Sequence, residues 1–164
     1  MDKQYTCFFT GHRKLPEHRI EYIRRLIKNK VKFLIEEKGV EDFIAGGALG
    51  FDTLAAECIV DLKNTYPNIK LHLYLPCFNQ SAAWSYDDKY KWHILAAKAT
   101  DFKYITQGNY YNGCMQKRNR AMVDDAYYGL AYYVMDKSGT GATVRYAEQK
   151  GRILDNIAEM IYGI

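Results

Sequence analysis

No stretch of apolar residues in this 164-residue chain approaches the ~18 that a membrane-spanning helix needs. Its opening residues, Met1-Asp2-Lys3-Gln4-Tyr5, lack the basic start, apolar stretch and small-residue cleavage site of a secretory leader. The expectation is a soluble, cytoplasmic protein with no membrane partner. Cysteine is sparse and scattered: Cys7, Cys58, Cys77 and Cys114 form no C-x-x-C pair and have no histidine at ligand spacing. A disulfide framework and a structural zinc site are thereby excluded, leaving reduced thiols in a core. His12, His18, His72 and His93 lie far apart and no motif gathers them, so neither a metal site nor a cofactor is expected. Internal repeats, linkers and low-complexity segments are also missing, which argues for one domain over residues 1–164. Excess charge is small. A net +4 suits an anionic small molecule or weak nucleic-acid contact and demands neither.

What the chain does have is 48% apolar and 26% charged residues, enough to bury an ordinary core. Its 15 tyrosines, apolar in the ring and polar at the tip, suit a pocket or a subunit contact. Tyr5 to Phe9 reads as a first strand. Pro16 stands where a first helical residue belongs, and apolar residues then recur at steps of three and four from Ile20 to Ile35 before Gly39 closes the helix. The opposite face carries Arg19, Arg24, Arg25, Lys28, Lys30 and Lys32; it is either a solvated face or a nucleic-acid contact. Four more strands are predicted at 42–45, 69–75, 102–106 and 130–135. Helices are predicted over 51–66, 87–99, 114–127 and 140–150, followed by a weak tail with a short strand and a helical turn. Strands alternating with helices give an α/β, Rossmann-like fold, a mostly parallel sheet with helices on both faces. Strand order is not readable.

In open α/β sheets ligands bind where strands end and helices begin, and the unusual residues collect there. Thr10-Gly11-His12-Arg13 follows the first strand, and Gly46-Gly47-Ala48-Leu49-Gly50-Phe51-Asp52-Thr53 the second. Pro76, Gln80 and Trp84 follow the third, Arg118-Asn119 lies on the helix before the fifth, and Ser138-Gly139-Thr140-Gly141-Ala142-Thr143 comes after it. Glycine turns let backbone N–H groups approach phosphate, and a helix start attracts it. With Arg13, Arg118 and the hydroxyls of Ser138, Thr140 and Thr143 they make an anion cradle. Asp52 either caps its own helix or accepts from ribose hydroxyls. His12 is either structural or a ligand contact, and Trp84 either packs or stacks on a base. Neither G-x-x-x-x-G-K-[ST] nor G-x-G-x-x-G occurs in the required place, so an ordinary NTPase or dinucleotide site is excluded.

As a set these motifs resemble the SLOG superfamily of Rossmann-like proteins, and within it the YpsA-like group. The resemblance rests on Thr10 to Arg13, Gly46 to Asp52 with Ala55-Ala56-Glu57, the Pro76/Gln80/Trp84 trio, Arg118-Asn119 and Ser138-Gly139-Thr140, and runs to about Lys150. It implies a nucleotide or nucleotide-derived ligand at the strand ends, held by Gly11, His12, Arg13, Gly46, Gly47, Gly50, Asp52, Gln80, Trp84, Arg118, Asn119, Ser138, Gly139, Thr140 and Thr143. Relatives also suggest a homodimer.

Two related groups set rival functions. Met115-Gln116-Lys117-Arg118-Asn119-Arg120-Ala121-Met122 is similar to M-x-x-R-K-x-x-M of the LOG phosphoribohydrolases, which places Arg118 on their catalytic arginine. Their P-G-G-x-G-T-x-x-E is degraded here: the expected acid falls among Val144, Arg145 and Tyr146, and the nearest carboxylate is Glu148. Arg118 with Glu148, or with Asp52, would be the catalytic pair of an N-glycosidic hydrolase acting on nucleoside monophosphates. The segment Gly46 to Ala56 is similar to one in the DNA-processing protein DprA, implying a single-stranded DNA module with Arg13, Arg118, Arg120, Tyr110, Tyr111 and Trp84 as its surface. Nucleotide binding without assigned turnover is the first of the three expectations, and nucleic acid the less favoured partner.

Overall fold

The computed structural model describes residues 1–134 and 138–163. Six strands, β1 (Thr6–Gly11), β2 (Asp42–Ala45), β3 (Lys70–Leu75), β4 (Asp101–Tyr104), β5 (Tyr128–Tyr132) and β6 (Ile153–Asn156), form one parallel sheet in the order β4-β3-β2-β1-β5-β6. The four central strands are hydrophobic on both sides because both faces are covered. Cys7 and Phe9, Phe43 and Ala45, and Leu71, Leu73 and Leu75 face one layer, while Phe8, Ile44 and Tyr74 face the other. The first layer is built by α1 (Ile20–Lys38), α2 (Phe51–Leu62), α3 (Tyr86–Lys98) and the short α6 (Ile157–Tyr162); the second by α4 (Cys114–Asp124) and α5 (Gly139–Gln149). All four cysteines are free and buried.

The helix α1 buries Ile23, Leu26, Ile27, Val31 and Leu34, the three-and-four pattern of its sequence, and ends on Gly39 in the left-handed region. Its basic face is partly paired within the fold: Arg24 meets Glu57 at 3.2 Å and Lys28 meets Asp61 at 3.3 Å, both on α2. These pairs tie α1 to its neighbour and favour the solvated reading of that face over a nucleic-acid contact.

Boundaries shift where backbone geometry overrides side-chain pattern. Tyr5 belongs to a 3-10 turn capped by Asp2 rather than to β1. Pro16 precedes a second 3-10 turn (Glu17–Arg19), so α1 begins at Ile20 rather than at the proline. The helix α2 ends at Leu62 in a turn instead of reaching Tyr66, and α4 ends at Asp124 rather than Tyr127. Strand β5 runs two residues earlier than the sequence suggests, and the Met135 end of that expectation lies outside the described residues. No described helix is long and apolar enough to cross a membrane.

The sequence-adjacent strands β1 to β4 are laid down in one direction from β1, and β5 and β6 in the other. That reversal opens a crevice beyond the carboxyl ends of β1 and β5, the place where this architecture binds ligands.

Candidate functional site

A cleft of about 230 Å³ occupies that crevice, lined by Thr10, Gly11, His12, Arg13, Ala48, Asp52, Met115, Arg118, Asn119, Ser138, Gly139 and Thr140. Four separate segments meet there. The β1 end supplies Thr10 to Arg13, the β2–α2 turn supplies Ala48 and Asp52, α4 supplies Met115 to Asn119, and the start of α5 supplies Ser138 to Thr140.

Arg118 sits on the buried face of α4 with Cys114, Met122 and Val123 and is only 4% exposed. A guanidinium there must be met by acceptors. Its Nη1 donates to the Gly46 carbonyl at the end of β2 and to the Tyr74 carbonyl at 3.3 Å; its Nε donates to Asn119 Oδ1 at 2.8 Å. Asp52, in the first turn of α2, is 5% exposed. Burial pushes its carboxyl up to about 6, opposed by the Arg118 charge, the backbone N–H groups of Ala48 and Gly46, and the Arg13 charge. Gly46 makes this approach possible. A Cβ there would lie 2.5 Å from Arg118 Nη1 and 2.7 Å from Asp52 Oδ2. Gly50, with φ +79°, packs its bare Cα on the Arg13 backbone. These two glycines therefore serve the close packing of chain on chain first, and shape the cleft by doing so.

His12 Nε2 accepts the Val134 N–H at 2.9 Å, and its ring lies edge-on to Tyr132. The bond requires an unprotonated Nε2, consistent with burial pushing the imidazole below its ordinary value. His12 thus fixes the exit of β5 toward α5. Ser138 caps α5 by accepting from the Gly141 N–H at 3.0 Å. Arg13 is exposed at the rim.

Not every expected residue arrives. Thr143 spends its hydroxyl on the Gly139 carbonyl at 2.9 Å and is buried in α5. Glu148, about two and a half turns along α5, lines a different hollow with Tyr133, Val134, Val144, Leu154, Asn156 and Glu159, so it does not pair with Arg118. Trp84 lies in the turn before α3, outside the cleft lining; Gly47 and Gln80 stand behind the β2–α2 turn. Sequence reasoning missed Met115 and Ala48, which line the cleft through their place beside Arg118 and Asp52.

A larger hollow of about 560 Å³ opens at the other end of the sheet, lined by Asp42, Lys70, His72, Tyr74, Asp101 and Lys103 among others. Its polar groups satisfy one another. His72 lies 2.7 Å from Asp42 through Nε2 and 2.7 Å from Asp101 through Nδ1, and Tyr74 donates to Asp125 at 2.5 Å. That array ties β2, β3 and β4 together. Among the described residues no group of three or more His, Cys, Asp or Glu is placed to hold a metal ion.

Comparison with known proteins agrees with this architecture. The chain is 35% identical over 123 residues to a UPF0398 protein of Halalkalibacterium halodurans, a match covering 74% of this chain and 64% of that protein's length. It is 31% identical over 138 residues to the SPbeta prophage-derived protein YoqJ of Bacillus subtilis, covering 75% of this chain and 81% of YoqJ. Among solved structures, DNA processing protein A from Helicobacter pylori superposes with TM-score 0.64 at 18% identity, over 93% of this chain and 64% of that one. The Streptococcus pneumoniae protein does so with TM-score 0.64 at 16% identity, over 91% and 48%. At such identities the likeness is one of fold. The YspA SLOG family model matches residues 6–156, nearly the whole of the sheet and its helices, and the chain belongs to that family.

Proposed function

We propose that the cleft binds the phosphorylated sugar of a nucleotide or nucleotide-derived ligand. The observation that carries this reading is the meeting of Arg13, Arg118, Asp52 and the amino end of α5 around one 230 Å³ space. The exposed Arg13 and the first N–H groups of α5 favour an anion. Asp52, when ionised, accepts from sugar hydroxyls. Arg118 holds the Gly46 carbonyl and Asn119 in place, and its charge acts on Asp52 and adds to the cleft floor. Complete ligands of drug size fill about 300–1,000 Å³. This cleft therefore takes the phosphate and sugar, and the rest of the ligand extends beyond it.

Thermal shift tests the reading. Ribose 5-phosphate and nucleoside monophosphates should raise the melting temperature progressively with concentration, and Arg13→Ala should weaken that response while leaving the free protein's melting unchanged. Absence of any shift across the panel rejects the proposal.

A second reading is turnover. Asp52 is the one carboxylate among the described residues lining the cleft, and its pKa of about 6 suits an acid–base group near neutral pH. Hydrolysis of the N-glycosidic bond would then depend on Asp52 and not on Glu148. Chromatographic detection of free base, lost in Asp52→Asn and kept in Glu148→Gln, is the expected result; no base from several nucleotides removes this reading.

A further inference from the structure

Among the described residues, three buried polar atoms just behind the cleft have no hydrogen-bond partner: Oε1 and Nε2 of Gln80 and Nε1 of Trp92. Two of them, Gln80 Nε2 and Trp92 Nε1, converge on Gly47. A Cβ built on that glycine would lie 3.1 Å from Gln80 Nε2, 3.2 Å from Trp92 Nε1 and 2.7 Å from the Leu75 side chain. Its φ of +72° excludes a side chain independently. The residues on either side of Gly47 belong to the cleft: Gly46 accepts from Arg118, and Ala48 lines the cavity. The orphaned amide and indole are thus one residue away from the space assigned above to the sugar phosphate.

Folded proteins rarely leave one such atom unpaired, and three at one turn call for an explanation. An apolar side chain of similar size would fill the position without stranding a donor and an acceptor. We propose that Gln80 and Trp92 are kept polar to read the base of the bound nucleotide, and that the base is adenine. This rests on the nucleotide reading of the cleft. A glutamine amide offers one donor and one acceptor side by side, the complement of adenine N7 and its N6 amino group. Guanine presents two acceptors at the corresponding edge and leaves Gln80 Oε1 unmet. The Trp92 N–H adds a donor from α3.

The route to these atoms is the turn between β3 and α3. The Gln80 amide is enclosed in the free protein although the residue is partly exposed, so the base enters as this turn lifts. The turn is fastened to the β4–α4 segment by the Phe78 N–H to the Gly108 carbonyl at 2.8 Å, and by the Tyr110 N–H to Asn79 Oδ1 at 2.7 Å.

Calorimetric titration of the purified protein with AMP, GMP and ribose 5-phosphate tests this, together with the melting temperature of each ligand-free variant. The parent should bind AMP about tenfold or more tightly than ribose 5-phosphate, the gain expected from a pair of new hydrogen bonds, with GMP showing no such gain. Gln80→Leu should bring AMP down to the affinity of ribose 5-phosphate, leave ribose 5-phosphate binding unchanged, and melt at or above the parent's temperature. Trp92→Phe should reduce the AMP advantage in part. The proposal is overturned if the AMP advantage survives both variants, if the parent binds AMP no better than ribose 5-phosphate, or if Gln80→Leu melts several degrees lower. Failure of ribose 5-phosphate itself to bind the parent would instead overturn the reading of the cleft, and this one with it.

Discussion

Ionisation of Asp52 should cost the folded protein stability, and Asp52→Asn should reveal how much. The carboxyl is buried and its pKa rises from the usual 3.8 to about 6, with burial as the chief cause and Arg118, the Ala48 and Gly46 N–H groups and Arg13 opposing it. A shift of about two units corresponds to ~3 kcal/mol. Between pH 3.8 and 6 the unfolded chain has released a proton that the folded protein still holds. Rising pH therefore favours unfolding through this group, and the stability it contributes is complete below 3.8 and gone above about 6. Urea unfolding of the parent and of Asp52→Asn, repeated from pH 4 to pH 8, isolates the effect, because all other carboxylates titrate in both proteins and cancel in the difference. The asparagine variant should gain on the parent as pH rises through this window, by up to ~3 kcal/mol, and the gap should level off above pH 7. A difference that stays constant across the range, or that narrows with rising pH, refutes the account of Asp52 as a desolvated acid.

Other outcomes follow from the same geometry. Arg118→Met removes the charge nearest Asp52 and leaves the Gly46 and Tyr74 carbonyls without their donor, so it should cost about 3–5 kcal/mol in urea unfolding; combining it with Asp52→Asn should recover part of that loss, and strict additivity would show that the two groups do not interact. His12, pushed below its ordinary pKa by burial, should titrate below 6.5 by NMR. Since the unfolded chain takes up that proton first, stability should fall as pH drops below 6.5, and the slope should shrink in His12→Ala; a His12 titration above 6.5 contradicts its role as acceptor for Val134. Tyr110 and Tyr111 are exposed on the β4–α4 segment; an oligonucleotide held there by stacking would bind with an affinity that falls steeply with salt and with Tyr110→Ala, and binding insensitive to both excludes such a site.

The fold was legible because its elements advertise themselves in different currencies. The helix α1 is a 3.6-residue pattern closed by a glycine, and β3 is an apolar run stopped by Pro76. What stayed unreadable is pairing at a distance. Strand order depends on which crossover α1 to α5 take, and nothing in β1 alone says that it pairs with both β2 and β5. The Asp42–His72–Asp101 array is a case of the same kind. Its members are separated by about thirty residues, each unremarkable, and only the parallel register of β2, β3 and β4 makes them neighbours.

The site shows the same division more sharply. Gly11, His12, Arg13, Asp52, Arg118, Asn119, Ser138, Gly139 and Thr140 share the cleft because every one lies within a few residues of a strand end or on the helix leading to one, which is a property of position along the chain. Glu148 fails on helical phase: counted from Thr140 it is two turns on, and α5 carries it down the outside of β5 toward β6, away from the strand ends. Trp84 and Trp92 differ for a similar reason. Trp92, Leu95, Ala96 and Ala99 recur at steps of three and four and pack on the core side of α3, so the indole of Trp92 is driven inward to Gly47, whereas Trp84 precedes the helix and has no face to hold it. That periodicity was available in the sequence; that its inward tryptophan would arrive beside a glutamine from the preceding turn, with both left unpaired, was not. A buried polar group aligned by core packing is positioned before any ligand arrives, and so incurs little ordering cost on binding. That makes Trp92 the better placed of the two tryptophans to discriminate between bases.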